Sequence, residues 1–366
     1  MTEHEGDWMA EILPEHTTGL VMEDYGRLTK DAQEKIVAEK CATPMTALDP
    51  VLFTMHLLRF GDAGDILLTR AQHAIFDGHS VAIVISEVFS YLFGLPVTTK
   101  PVAQKWFMDF RARQLEKRVD EKRAFWENIV LPDPPPLNVG RKKKGIPPLQ
   151  DSDVAPAHVI ENILLPEASD RIRDVFRATG LSSMCQLQAV FGDVICEMGG
   201  GSETTWRSIV GRQEARLAGF VGPALQGIPV RYKAGSGPQF VRDFMSRGAD
   251  MLPAADIILG GPLTQMYQPL FVNMPEPLGP LLNSPLRKAI GAFDAGGFSI
   301  GPVHMEHVPV GAKKSTDYEL EMNVGSIPDA PTAEFVADAP SWEMSELQSV
   351  ADAMNDAILS SNYPKT

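Results

Sequence analysis

The sequence predicts a mixed α/β protein in which strands alternate with packed helices. In the first half, the apolar run Asp65–Ala71 has the length and composition of a strand, and an amphipathic helical pattern over 80–93 follows it. In the second half, a helical pattern over 183–198 precedes a strand pattern over 204–210. Hydrophobic residues make up 44% and charged residues 22%, which is the balance of a globular protein.

The first half contains strand and helix patterns in the order that a hairpin followed by a helix requires. Gly61–Gly64 (sequence GDAG) is a turn signal between two strand-like runs, so these runs are predicted to pair antiparallel. Thr29 is in position to cap the first helix. Strands are predicted over 9–22 with a polar break at 16–18, over 51–60 and over 66–71; helices are predicted over 28–40, 80–93 and 103–129.

A segment without hydrophobic period separates the two halves. Residues 131–148 are rich in Pro, Gly and Lys, which is typical of a linker. We therefore predict an N-terminal lobe over 1–133, a linker over 134–150 and a C-terminal lobe over 151–366. Within this linker, the basic run Arg141–Lys144 either attracts phosphate groups or, as we favour, is a solvated loop.

The second half repeats the α/β character and ends on a helix. Gly180 follows a helical pattern at the position where a left-handed residue closes a helix. Strands are predicted over 157–165, 204–210, 227–232, 289–298, 304–310 and 317–324; helices are predicted over 166–179, 183–198, 240–250 and 345–360.

Charge and cysteine content exclude several classes of protein. Acidic residues outnumber basic ones by 47 to 33, and the net charge of −14 argues against nucleic acid and anionic membranes as partners. The three cysteines fit neither a disulfide framework nor a zinc ribbon. The polar N-terminus has no signal-peptide pattern, and the most apolar stretch, 81–95, is too short to span a bilayer. These features favour a cytoplasmic protein.

The segment Gln72–Gly78 (sequence QHAIFDG) lies at the predicted strand-to-helix corner. By itself, His73 at a strand end is more often a hydrogen-bonded structural residue than a catalyst. Asp77 is as well explained by a turn or a helix cap as by a role as a structural anchor of the site. Gly78 indicates either a positive φ or the close approach of a substrate.

A metal site is the other chemistry that these residues can supply. His73, Asp77 and His79 are potential ligands, and so are His304 and His307. The last two differ by an odd number on a predicted strand, so they point to opposite faces. The first three lack an obvious fourth ligand. We therefore predict no metal.

Several motifs, in order, resemble those of nonribosomal peptide synthetase condensation domains and of the wider family of CoA-dependent, chloramphenicol-acetyltransferase-like acyltransferases. Gln72–Gly78 is similar to their HHxxxDG signature, and Phe125–Trp126 to the aromatic pair that ends their long helix. Segments 209–231 and 314–320 are similar to their "GR … vGpf.NtlPlR" and "KfDLtl" patterns. The resemblance implies two chloramphenicol-acetyltransferase-like lobes in a V around a central tunnel.

The resemblance also implies roles for residues. His73 is the catalytic base. Acyl transfer then needs donors to the oxyanion, and backbone N–H groups near Gly78 suit this role because a helix N-terminus favours negative charge. Asp77 pairs with an arginine of the second lobe, for which Arg212 is the candidate. Gln72 replaces the first histidine of the signature. Gln72 and His79 are secondary candidates for residues of the site. The family's opening segments are not found before Met9, so we expect part of the first lobe to be absent or supplied by another chain.

Two functions follow from the resemblance. The first is acyl transfer from a thioester to an amine or hydroxyl acceptor in specialised metabolism, with no bound cofactor. The acyl group is carried on phosphopantetheine or CoA, and a carrier protein is the expected partner. The alternative is a condensation-fold protein without acyl transfer, acting as a cyclase chamber or as a recruitment module. The sequence leaves the oligomeric state open.

Overall fold

A computed structural model gives the fold and divides the chain into two compact units. The residues that it describes are 2–4, 7–9, 20–42, 45–46, 49, 51–97, 100–130, 138–147, 155–210, 215–252, 270–273, 290–294, 297–300, 303–306, 315–316, 318–327 and 330–361. Unit 1 comprises Met1–Val81, Val221–Pro223 and Lys288–Ala312; unit 2 comprises Ala82–Phe220, Ala224–Arg287 and Lys313–Thr366.

Unit 1 is built on small sheets. One three-stranded sheet has the order β3-β4-β5, in which β4 pairs parallel with β3 and antiparallel with β5, and another has the order β10-β11-β12. Val37, Leu58 and Phe60 form a buried cluster in this unit. Its elements are β1 (Thr2–His4), β2 (Asp7–Met9), β3 (Leu20–Asp24), α1 (Lys30–Ala42), β4 (Phe53–Arg59), β5 (Asp65–Ala71), β10 (Ile290–Asp294), β11 (Gly297–Ile300) and β12 (Val303–Glu306). Helix α2 (Gly78–Leu92) follows β5.

Unit 2 contains a seven-stranded sheet in the order β13-β6-β15-β14-β9-β7-β8. Its strands are β6 (Ala155–Ile160), β7 (Glu203–Val210), β8 (Gln226–Lys233), β9 (Leu270–Asn273), β13 (Ser315–Thr316), β14 (Leu320–Ile327) and β15 (Ala330–Asp338). Its helices are α3 (Gln104–Glu116), α4 (Val119–Val130), α5 (Gly140–Lys144), α6 (Pro166–Thr179), α7 (Ser183–Gly199), α8 (Gly237–Asp250) and α9 (Met344–Ser360). The mixed α/β class is confirmed.

The core of unit 2 lies between one face of this sheet and helices α4 and α6 to α9. Trp126, Trp206, Phe191 and Tyr232 are among its largest fully buried side chains. Gly192 of α7 lies directly against two of these rings, because a Cβ there would be 2.5 Å from Tyr232 Cδ1 and 3.0 Å from Trp206 Cζ3. The glycine therefore lets α7 pack closely on the sheet.

Several elements differ from the sequence predictions. The helix predicted over 103–129 is two helices, because Lys117 is extended and Arg118 has a φ of 55°. The buried ammonium of Lys122 donates to the carbonyl oxygen of Gln114 at this break. The strand predicted over 289–298 is instead the β10–β11 hairpin.

Other predictions are confirmed or fall partly outside the described residues. The hairpin β4–β5 and Gly180, with a φ of 72° after α6, are as predicted. The first strand is confirmed only over β3, and residues 10–19 lie outside the described residues. The strands β9 and β15 are absent from the sequence prediction.

The predicted domain boundaries and the V-shaped arrangement stay predictions. Helices α3 and α4, which the sequence predicts in the N-terminal lobe, belong to unit 2 by their contacts. In the predicted linker, residues 140–144 form the short helix α5. Among the described residues, no helix has both the length and the apolarity needed to cross a membrane.

Candidate active site

The corner that carries His73 is delivered by the β4–β5 hairpin. Seven residue pairs from Phe53↔Ala71 to Arg59↔Asp65 hold the two strands in register. Next to the Phe53↔Ala71 pair, the N–H of Gln72 donates to the carbonyl oxygen of Leu52 at 2.9 Å. Phe53 and Phe76 stack with ring centroids 4.9 Å apart. The backbone is thus fixed on both sides of His73.

The side chain of Gln72 builds the turn itself. Its Oε1 accepts the N–H of Ala74 at 2.7 Å, and its Nε2 donates to the carbonyl oxygen of Met45 at 3.3 Å. The N–H of Ile75 closes the turn by donating to the carbonyl oxygen of Gln72 at 3.0 Å. The residue that replaces the first histidine of the signature therefore has a structural part in this chain.

His73 occupies the exposed second position of this turn. Exposure leaves its imidazole accessible to a substrate, which both proton transfer and orientation of a nucleophile require. Its role in catalysis stays a prediction.

Asp77 is buried and caps helix α2. Its side chain is 2% exposed, and its Oδ1 accepts the N–H of Ser80 at 2.7 Å. This is the bond by which an N-cap carboxylate satisfies the third N–H of a helix. The hydroxyl of Ser80 lies at the same distance from Oδ1 and also contacts Gly222. A helix cap is one of the roles that the sequence indicates for Asp77, and the structure contains this cap.

Gly78 is the first residue of α2 and does not have a positive φ. The positive-φ explanation for glycine at this position is therefore wrong, and the close approach of a substrate stays a prediction. In the described part of the chain, the N–H of Gly78 donates to no acceptor. A helix start favours negative charge, so this N–H is a suitable donor to an oxyanion. His79 follows as the second residue of α2 and is half-buried.

Other predicted site residues lie elsewhere. Arg212 is outside the described residues, so the pairing of Asp77 with Arg212 stays a prediction. His304 lies in β12, and His307 is outside the described residues. Among the residues that the structure describes, no group of three or more His, Cys, Asp or Glu side chains is arranged to hold a metal. All three cysteines are free.

Glu23 of β3 is the centre of a polar cluster in unit 1, next to the β4–β5 hairpin. Its carboxylate accepts hydrogen bonds from Lys40 at 2.7 Å and from Tyr25 at 2.8 Å, and it lies 2.9 Å from His56 Nδ1. These contacts, with Lys40 the strongest, lower the pKa of Glu23 to about 2. The ionised cluster ties β3 to α1 and β4.

The basic run Arg141–Lys144 is engaged within unit 2. Arg141 pairs with the buried Asp338, and its N–H donates to Glu319 at 2.7 Å. Burial raises the pKa of the Glu319 carboxyl. Lys143 and Lys144 pair with glutamates at the start of α9. Arg141, Lys143 and Lys144 are therefore already paired with carboxylates of the protein.

Comparison with known proteins agrees with the motifs of the corner. The sequence matches the family model of the condensation domain over residues 1–286, which is more than half of the chain. The chain belongs to the condensation-domain family. A search of the curated proteins gives no match.

Solved structures with the condensation-domain fold superpose over nearly the whole chain. SgcC5 protein from Streptomyces globisporus, crystallised with an aryl ethanediol and sucrose, is 14% identical with a TM-score of 0.69, covering 99% of this chain and 85% of its own. The first condensation domain of the calcium-dependent antibiotic synthetase is 17% identical with a TM-score of 0.66, covering 97% and 78%. The teicoplanin X-domain, in complex with OxyB, is 13% identical with a TM-score of 0.63, covering 94% and 79%.

One residue of the corner has no part in the sequence prediction. Ser80 is fully buried and makes the contacts that join Asp77 to Gly222. Asp77 directly before an apolar helix is a local signal of an N-terminal cap, but no local signal in the sequence points to the contact of Ser80 with Gly222.

Proposed function

We propose that this condensation domain is an acyltransferase that joins a thioester-bound acyl group to an amine or hydroxyl acceptor. The observation that carries the proposal is the exposed His73 on a turn fixed by Gln72 on one side and by the Asp77 cap on the other. The acyl donor is a thioester on phosphopantetheine or CoA, a carrier protein presents it, and the reaction belongs to the cytoplasm.

The reaction follows from the chemistry of the corner. The acceptor nitrogen or oxygen attacks the thioester carbonyl carbon, and His73 takes the proton that the acceptor loses. The carbonyl oxygen becomes an oxyanion and accepts the N–H of Gly78. When the tetrahedral intermediate collapses, the C–S bond breaks and the leaving thiolate receives the proton from His73. An amide or ester and a free thiol are the products.

The test uses acyl-pantetheine and acyl-CoA thioesters with a panel of amines and alcohols. Thiol release and product mass are measured for wild type, His73→Ala and the control His158→Gln, whose half-buried side chain lies in β6. We expect His73→Ala to lose about 10²–10⁴-fold in kcat/KM, the usual contribution of a general base. Because the His73 side chain is exposed, the melting temperature of the His73→Ala variant should stay at the wild-type value. Equal turnover by His73→Ala and wild type contradicts the proposal.

A second candidate is a recruitment module without acyl transfer. The solved complex of an X-domain with OxyB supports it, because that protein of similar fold binds a partner protein. Binding of carrier proteins and tailoring enzymes to wild type and His73→Ala separates the two functions. Tight binding that is unchanged by His73→Ala, with no thiol release from any thioester, favours recruitment. Turnover that depends on His73 favours the acyltransferase or a cyclase.

A further inference from the structure

The hydroxyl of Ser80 lies between two distant parts of unit 1. Its Oγ is 2.7 Å from Asp77 Oδ1, 2.9 Å from the nitrogen of Gly222 and 3.0 Å from the carbonyl oxygen of Gly222. Ser80 is 0% exposed and Asp77 2% exposed, and Gly222 is buried. At this burial, water does not readily replace a hydrogen bond that is lost.

The direction of the hydrogen bonds follows from the proton count. A serine hydroxyl has one proton and two lone pairs. The N–H of Gly222 donates to Oγ, and the acceptors that lie near Oγ–H in the described contacts are Asp77 Oδ1 and the carbonyl oxygen of Gly222. The carboxylate is closer and charged, and bonds to ionised acceptors are the stronger ones. The result is a chain from the N–H of Gly222 through Ser80 to Asp77.

This chain ties a loop to the corner. Ser80 and Gly222 are 142 residues apart in sequence. Val221–Pro223 packs with unit 1, whereas Phe220 before it and Ala224 after it belong to unit 2. The residues Val221–Pro223 thus belong to unit 1, and Ser80 contacts Gly222 in their middle. The same hydroxyl supports the carboxylate that caps α2.

We propose that Ser80 is the positioning residue of this corner. Its hydroxyl fixes the Asp77 cap against the Val221–Pro223 loop and so keeps the Gly78 N–H and the His73 turn in place. The effect on turnover rests on the proposed acyl transfer, whereas the effect on the loop does not. The experiment therefore measures both.

The variants are Ser80→Ala, which removes the hydroxyl, Ser80→Thr, which restores it, and the control Ser90→Ala. Ser90 is also buried, at 3% exposure, and lies on the same helix. Amide hydrogen exchange is followed in the peptide that contains Gly222. The rate at which diethylpyrocarbonate modifies His73 reports on the turn. If a thioester is turned over, kcat and KM are measured separately.

We expect exchange at Gly222 to accelerate about ten- to a hundredfold in Ser80→Ala, the ratio that corresponds to one buried hydrogen bond. The rate at which diethylpyrocarbonate modifies His73 should change. The factor by which kcat falls should be larger than the factor by which KM rises. Ser80→Thr should recover most of each loss, and Ser90→Ala should match wild type. If Ser80→Ala does not fold, Ser80→Cys gives the same comparison with a poorer donor.

Two results overturn the proposal. One is Gly222 exchange and His73 modification in Ser80→Ala that equal those of wild type. The other is the same acceleration in Ser90→Ala, which makes the effect a general loss of stability. Absence of acyl transfer in wild type, together with accelerated exchange in Ser80→Ala, rejects the acyltransferase function but keeps Ser80 as the residue that positions the loop.

Discussion

Arg141 Nε lies 2.5 Å from Oδ2 of Asp338, although the two residues are 197 positions apart in the sequence. The Arg141 side chain is 12% exposed, and that of Asp338 has no exposed surface. The ion pair fixes α5 at the end of β15. A buried pair need not add net stability, but removal of one partner leaves an uncompensated charge.

Arg141→Met should therefore lower the free energy of unfolding by about 3–5 kcal/mol, because it leaves the Asp338 carboxylate buried without its cation. Denaturant unfolding of the purified variants measures the loss. The control is Lys30→Met, which removes a cation from an exposed pair with Glu34 and should have little effect. The double variant Arg141→Met with Asp338→Leu should recover stability; a double variant as unstable as Arg141→Met contradicts this explanation.

Two glycines of unit 2 should respond differently to alanine. At Gly192, a Cβ would be 2.5 Å from Tyr232 Cδ1 in the core. The gain in helix propensity from Gly192→Ala is about 1 kcal/mol, and overpacking of fixed aromatic rings costs about 1–3 kcal/mol or more. We expect net destabilisation in thermal and denaturant unfolding.

At Gly227, the nearest atom to a new Cβ would be Nε of Arg207, at 2.0 Å. The Arg207 side chain is long and half-buried, so it can move aside. Gly227→Ala should therefore cost less than Gly192→Ala in the same measurement. The reverse order would show that Arg207 is held more firmly than the core rings.

Glu23 should make stability depend on acid pH. Its folded-state pKa is lowered to about 2 from 4.5, so the carboxylate stabilises the fold above pH 4.5. This contribution is lost as the pH falls from 4.5 towards about 2. Glu23→Gln should flatten the pH dependence of the free energy of unfolding between pH 4.5 and about 2. Above pH 4.5 it should leave this pH dependence unchanged. A Glu23→Gln profile parallel to wild type between these values argues against the cluster.

Gln72 should stabilise the turn through both ends of its amide. Gln72→Glu keeps the acceptor for Ala74 but loses the donor to Met45. Gln72→Met loses both and keeps the shape. Each lost bond should cost about 0.5–1.5 kcal/mol, so Gln72→Met should be the less stable of the two. Unfolding at pH 7 gives the order, and equal stability of Gln72→Met and wild type would falsify a structural role for this amide.

The elements that the sequence predicts correctly carry their own local signals. The hairpin β4–β5 has a glycine-rich turn, α6 ends at a left-handed Gly180, and α2 has a continuous apolar face. The corner at 72–78 follows from the last strand of this hairpin and the first turn of this helix. The family motifs then supply the role proposed for His73.

The elements that the sequence missed depend on distant partners. Strand β15 contains Pro331 and three alanines, which are poor strand formers. It forms because β6 and β14 pair with it on both sides. The break at Lys117–Arg118 is held partly by Asp250, which is 132 residues away from Arg118. Ser80 was missed because its partner Gly222 is 142 residues away in sequence.

The strand order of the large sheet also has a consequence during synthesis on the ribosome. Strand β6 ends at Ile160, but its two neighbours are β13, which begins at Ser315, and β15, which begins at Ala330. At usual elongation rates, roughly 10–30 s separate the emergence of β6 from that of β15. Until β13 emerges both edges of β6 lack their native partners, and exposed edges are sites of aggregation. The edges of β6 are therefore open to pairing with other chains until the last strands of the sheet emerge.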